Sequence, residues 1–172
     1  MHTENSKKKG FTLMELLLYV GIASIMLFII SLLLSTLLQS RIKNQSIIEV
    51  EQQGQFVIQQ ITQALRNGKE VSNPQFQEED ASLSLITYSV DESPTLFYID
   101  EGIIYIKEGS DEAIPLTNSR IQASNLSFSN LTHVDSPEFI RISFTLGHDN
   151  PQDRTEYDFS RTFFASASLR QP

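Results

Sequence analysis

An uncharged run of 23 residues, from Leu16 to Leu38, constrains this chain more than any other feature of its sequence. At ~1.5 Å per residue it would form roughly 35 Å of helix, enough to cross a bilayer. The apolar region of a secretory signal peptide is usually about 7 to 15 residues long and ends at a small-residue cleavage site, which this run does not. Lys7, Lys8 and Lys9 precede the run, so we expect a single span with its N-terminus in the cytoplasm.

Composition limits what the rest of the chain can be. The 172 residues leave room for one small folded domain beyond the span. The formal net charge of -8 argues against direct binding to a nucleic acid, because nucleic-acid binders carry basic patches. The absence of cysteine rules out a disulfide framework and a thiolate metal site.

Glu15 is the residue that does not fit an ordinary membrane span. A carboxylate at the centre of a bilayer costs about 2.5 to 3.5 kcal/mol on insertion scales. Taken alone, Glu15 has a bland interpretation, in which it sits at headgroup depth and interacts favourably with the positive end of the helix dipole.

The residues around Glu15 favour another interpretation. The string Lys8-Lys9-Gly10-Phe11-Thr12-Leu13-Met14-Glu15, running into a long apolar helix, resembles the class III signal of type IV prepilins and pseudopilins. The resemblance implies cleavage after Gly10 by prepilin peptidase and N-methylation of Phe11 as the mature N-terminus. It also implies that Glu15, fifth in the mature chain, pairs with the N-terminal ammonium of a neighbouring subunit and sets the assembly register. Pairing the two charges would recover much of the cost of placing each in lipid.

The chain departs from many major pilins at Leu32, where those proteins often carry a helix-bending proline. Any local melting of the helix during assembly would then have to use Gly21, Ser24 or Ser31.

Beyond the span the helix is expected to continue as an amphipathic segment. Its apolar residues recur at spacings of three and four, which predicts a stripe facing a core: Ile47, Val50, Gly54, Val57, Ile58, Ile61 and Leu65. Gly54 within this stripe indicates close packing or bending. Asn67-Gly68 predicts a left-handed stop, so the helix should run from Thr12 to Asn67.

The remainder of the sequence reads as strands and turns. A hairpin is predicted for 95–99 and 103–107 around Asp100-Glu101-Gly102. Further strands are predicted at 82–88, 125–129, 139–146 and 155–165. A helix followed by such strands predicts an α+β, pilin-like fold with the long helix packed on an antiparallel β-sheet.

Four segments follow from these observations. They are a leader peptide at 1–10, a transmembrane and filament-core helix at 11–40, an amphipathic continuation at 41–68, and an extracytoplasmic, β-rich head at 69–172. The order of elements, with Ile114-Pro-Leu-Thr117 leading into Leu126-Ser-Phe128, is similar to J-type minor pseudopilins of type II secretion and W-type minor pilins. Major pilins usually carry a disulfide-bounded or calcium loop, and the cysteine-free tail argues against one.

That resemblance implies a structural subunit of a type II secretion pseudopilus or a type IV pilus, placed in a tip or initiation complex. It implies as partners prepilin peptidase, other minor pilins or pseudopilins, the inner-membrane assembly platform and membrane lipid. The implied location is a prokaryotic inner membrane, crossed once, with the C-terminal domain periplasmic or extracellular.

Neither catalysis nor a cofactor is expected. His2, His133 and His148 lack zinc-binding spacing, and His133 and His148 are expected to be solvated in polar loops. The acidic groups at 78–80, 91–92, 100–101 and 111–112 lack the pattern of a calcium loop and are expected to be solvated. Two alternatives stay open, a membrane-anchored receptor or sensor with an uncleaved N-terminus, and an exported enzyme held by its signal anchor.

Overall fold

One helix and nine strands make up the described part of the chain. The computed structural model describes residues 12–134, 136–155 and 157–170. The contacts divide the chain between Arg41 and Ile42. The described part of the first unit is helix alone, and the second contains the rest of the helix and every described strand.

The helix α1 runs without interruption from Leu13 to Asn67. Its first half is apolar on every side, and its second half carries the apolar stripe predicted from the spacing of residues. Val50, Gly54, Val57, Ile61 and Leu65 are buried, which confirms that this stripe faces a core.

The C-terminal end of α1 is where the sequence predicts it, but its geometry differs. Neither Asn67 nor Gly68 has a positive φ, so the predicted left-handed stop is wrong. The chain instead passes directly from the helix into a strand at Gly68. A Cβ on Gly68 would lie 3.3 Å from the carbonyl oxygen of Leu65, which explains why the smallest residue stands at this junction.

The strands form two antiparallel sheets where a single sheet was predicted. Sheet A has the order β1-β3-β4-β5-β6, and its strands are β1 (Gly68–Asn73), β3 (Leu83–Thr87), β4 (Thr95–Asp100), β5 (Ile103–Glu108) and β6 (Ile114–Pro115). Sheet B has the order β2-β7-β8-β9, and its strands are β2 (Glu79–Asp80), β7 (Ile121–Asn130), β8 (Phe139–His148) and β9 (Ser160–Ser168).

The hairpin predicted around Gly102 is confirmed. Asp100 pairs with Ile103, so Glu101 and Gly102 form a two-residue loop with φ values of 47° and 78°. Two successive positive φ angles define the hairpin turn that matches the twist of the strands and favours glycine at its second position. The carbonyl of Gly102 accepts a hydrogen bond from the backbone N–H of Ala123 on β7 at 2.7 Å, and this bond joins the two sheets.

A single apolar core is shared by α1 and both sheets. It includes Val57 and Ile61 of the helix, Phe97 of sheet A, and Phe128 and Phe144 of sheet B. The alternation predicted for β8 is confirmed, because its inward side chains are all buried: Ile140, Ile142, Phe144 and Leu146. The structure therefore has the predicted α+β class, a long N-terminal helix packed on antiparallel sheets, consistent with a pilin-like fold.

Candidate functional site

The candidate site suggested by the sequence lies at the start of α1. Gly10 and Phe11, the expected cleavage and methylation residues, lie outside the described residues. Glu15 lies in the first turn of the helix. The Thr12 Oγ1 atom accepts a hydrogen bond from the backbone N–H of Glu15 at 3.2 Å, so Thr12 caps the helix and fixes where its first turn begins.

The carboxylate of Glu15 is exposed and unpaired. It forms no hydrogen bond or ion pair with any residue that the structure describes. Thr12 and Glu15 have the spacing of a capping box, in which the glutamate side chain would return to the N–H of the cap residue. That return bond is absent among the described contacts, so the carboxylate is available to a group outside this part of the chain.

The helix surface that follows Glu15 is apolar and has no protein cover within its own unit. Every residue from 12 to 41 is exposed, and none of the most apolar window is buried. Helix α1 is long and apolar enough to cross a membrane, which is compatible with a membrane anchor.

The hydroxyl groups in this part of α1 bond to the helix itself. Ser24 donates to the carbonyl of Val20 at 2.8 Å, and Thr36 donates to that of Leu32 at 3.0 Å. Such bonds satisfy a hydroxyl without a neighbouring chain. Gly21 has no atom within 4 Å of an added Cβ, so its surface is open.

A second polar site, which the sequence did not predict, joins α1 to sheet B. We call it the Glu49 cluster, consisting of Glu49, Asn118, Arg120 and His148. Asn118 donates to the Oε1 atom of Glu49 at 2.9 Å, and the Arg120 guanidinium lies 2.7 Å from the same oxygen. The His148 Nε2 atom lies 3.8 Å from the Oε2 atom of Glu49. Because Glu49 is largely shielded from water, with 22% of its side chain exposed, the cluster fixes the position of this helical turn.

His148 is not the solvated histidine that the sequence led us to expect. Only 11% of its side chain is exposed, and its ring stacks on Tyr157 with 4.7 Å between ring centroids. Its Nδ1 atom lies 2.9 Å from the carbonyl oxygen of Asp149 and donates to it, since a carbonyl can only accept. The local sequence could not reveal this burial, because the partners of His148 on α1 are about a hundred residues away in the chain.

Two further contacts fix α1 against β9. Arg161 forms an ion pair with Glu51. The ring of Phe163 occupies the space that a side chain on Gly54 would need, which confirms that Gly54 is a close-packing position.

Two carboxyl groups in the head have shifted pKa values. Burial raises the pKa of Glu138, opposed by a hydrogen bond that its carboxylate accepts from the backbone N–H of Val71, and nearby Glu70 raises it further. The hydrogen bond from the Ser82 hydroxyl lowers the pKa of Asp80, and the bond from the Ser82 backbone N–H lowers it further.

The described residues hold no cluster of three or more histidine, aspartate and glutamate side chains placed to bind a metal ion. The acidic groups predicted to be solvated are exposed on the surface. Comparison of the chain with protein-family models, with curated proteins and with solved structures found no match.

Proposed function

We propose that this chain is a minor pilin or pseudopilin, a structural subunit of a type IV filament machine that is processed after Gly10. The observation that carries the proposal is the unpaired carboxylate of Glu15 at the start of an uncovered apolar helix, within the string Lys8-Lys9-Gly10-Phe11-Thr12-Leu13-Met14-Glu15.

The carboxylate needs a cationic partner once the helix enters lipid or a bundle of helices. A lone charge in an apolar medium is costly, and a paired one much less so. Cleavage after Gly10 would create an ammonium on Phe11, four residues before Glu15. The ammonium of one subunit and the Glu15 carboxylate of its neighbour would then satisfy each other.

The apolar surface of α1 supports the same proposal. It needs lipid before assembly and other apolar helices afterwards, and its internally bonded hydroxyls add no competing polar demand at Ser24 and Thr36. The proposed sequence of partners is therefore the membrane and prepilin peptidase, then the assembly platform and other minor subunits in a tip or initiation complex.

The first test is the intact mass and N-terminal sequence of the protein recovered from its native membrane. We expect a chain that begins at N-methylated Phe11, and we expect the Gly10→Val variant to keep its leader. Gly21→Val is the matched control, because it makes the same change at an open helical position and should leave processing intact. A wild-type chain that still begins near Met1 would replace the proposal with an anchored receptor or sensor.

The second test separates processing from assembly. Glu15→Leu should be cleaved like the wild type, because Gly10 and Phe11 are unchanged, but it should be absent from purified filaments. Ser24→Ala, which removes an internally bonded hydroxyl, should be incorporated normally. Incorporation of Glu15→Leu at the wild-type level would show that the carboxylate has no role in assembly.

A further inference from the structure

The outer face of sheet B carries a regular array of hydroxyl groups. Successive side chains of a strand point to opposite faces, so the residues that alternate with the buried ones on β7, β8 and β9 share this face. The pairing of the strands places them in three rows: Ser124, Thr145 and Thr162; Ser127, Ser143 and Phe164; Ser129, Arg141 and Ser166. Every position except those of Phe164 and Arg141 therefore carries a hydroxyl.

Phe164 is the apolar centre of this face. Its side chain is 70% exposed although it lies in a regular strand, and its cross-strand neighbour is Ser143. It leaves one flat aromatic surface surrounded by groups that can each donate and accept a hydrogen bond.

Arg141 supplies an unused positive charge beside that ring. Its guanidinium forms no ion pair and no side-chain hydrogen bond with any described residue. The nearest acidic position on the sheet is Glu79, which pairs with Ser129 on the next strand and accepts a hydrogen bond from Ser127. Since the chain as a whole is acidic, a free arginine on this face is a local site for an anion.

These groups line one shallow groove of about 540 Å³, which is within the range of small-ligand sites. Its walls include Phe164, Arg141, Glu79 and the hydroxyls of Ser127, Ser143 and Ser166. An aromatic plane with hydroxyls around it suits a pyranose ring, whose faces are apolar and whose rim is hydroxylated. The unpaired guanidinium suits a carboxylate, which it can bind through two hydrogen bonds.

We propose that the outer face of sheet B binds polysaccharides built from acidic hexopyranoses, with Phe164 against the sugar ring and Arg141 on the uronate carboxylate. A protein partner fits the face less well. The centre of a protein interface is normally rich in aromatic and other large apolar side chains, and here Phe164 is the single large apolar residue in the array.

The test titrates the full-length chain in detergent micelles with trigalacturonate, followed by calorimetry. Galactotriose, which lacks the carboxylates, is the matched ligand. We expect trigalacturonate to bind and added salt to weaken it, because an exposed ionic contact is screened. Galactotriose should bind at least about tenfold more weakly, which corresponds to about 1.4 kcal/mol.

Variants assign the binding to this face. Phe164→Ala and Arg141→Gln should each weaken trigalacturonate binding about tenfold, and Arg141→Lys should fall between Gln and the wild type, because lysine keeps the charge but not the two-pronged geometry. Tyr88→Ala is the control, since Tyr88 is an aromatic of similar exposure, 63%, outside this face. All four positions are exposed, so thermal melts should show unchanged folding.

Three outcomes would overturn the proposal. They are no binding of trigalacturonate by the wild type, equal binding of galactotriose, and equal loss in Tyr88→Ala. If the wild type binds neither sugar and Phe164→Ala instead lowers incorporation into filaments, the face is a contact between subunits.

Discussion

Phe163 of β9 lies directly against Gly54 of α1, and its ring fills the volume that any side chain at position 54 would enter. The ring has little freedom to withdraw. It is 3% exposed, it stacks on Phe144 with 5.4 Å between centroids, and the Arg161 guanidinium lies over it. The helix and the last strand are therefore in contact at a point where neither side can yield.

Gly54→Ala should lower the stability of the head. Overpacking a core costs about 1 to 3 kcal/mol, which outweighs or matches the gain of about 1 kcal/mol from better helix propensity. Thermal melts should show a lower Tm, by about 2 to 4 °C per kcal/mol lost. Gly21→Ala is the control, because the same change meets no atom within 4 Å. In a Phe163→Leu background the effect of Gly54→Ala should shrink, and an undiminished effect would place the clash elsewhere.

Glu49→Ala should destabilise the head more than Glu51→Ala. Truncation at Glu49 leaves the Asn118 amide without its acceptor in a half-buried site, which costs about 1 to 3 kcal/mol. The Glu51 pair is more exposed, with 52% of the Arg161 side chain accessible, and such pairs contribute about 0 to 1 kcal/mol. Urea unfolding of both variants measures the difference. Equal losses would mean that the Glu49 cluster has no special role in holding the helix.

Glu138 should make the head less stable as the pH rises. Because burial raises its pKa in the folded state above the usual value of 4.5, the folded protein favours the protonated form. Stability from this group is present below the unfolded pKa and is lost as the pH rises through the folded pKa. Glu138→Gln keeps an acceptor for the Val71 N–H, so it should match the wild type near pH 4 and exceed it at neutral pH. Urea unfolding at both pH values is the measurement, and a constant difference would contradict it.

Asp80 should act in the opposite direction. Its hydrogen bonds from Ser82 lower its pKa below the usual value of 3.8, so its contribution is present above that value and is lost as the pH falls through the folded pKa. In Ser82→Ala, the pKa of Asp80 should rise towards its usual value, as followed by NMR of the carboxyl carbon. Because Asp80 is exposed, we expect little change in overall stability. An unchanged pKa would show that the Ser82 hydroxyl does not bind the carboxylate in solution.

Much of the fold was readable from the sequence because it depends on local pattern. The stripe containing Val50 and Ile61 sets which side of α1 is buried, and the positive-φ requirement at Gly102 sets the β4–β5 turn. Strand β9 was predicted five residues too early, at 155–165, because the alternation through Tyr157 and Phe159 continues into a segment that is a turn rather than a strand.

The rest depends on contacts between residues distant in the chain. Strand β1 was not predicted, since Gly68–Asn73 is largely polar and becomes a strand by pairing with β3. The Glu49 cluster joins residues from α1, the segment before β7 and the end of β8, and no spacing rule connects them. At the N-terminal site, Glu15 was recognisable because a carboxylate at the start of an apolar helix is anomalous by itself, whereas its unpaired state required the structure.

The contact between Gly54 and Phe163 also bears on the order in which the chain can mature. During synthesis α1 is made first and β9 last, so the groove at Gly54 stays open until nearly the whole polypeptide has emerged. Every earlier strand can pair while that groove is still empty, and completion of the head waits for Phe163. A ribosome that stops before residue 160 would therefore release a helix whose inner surface at Gly54 is bare, a ready signal for quality control by proteolysis.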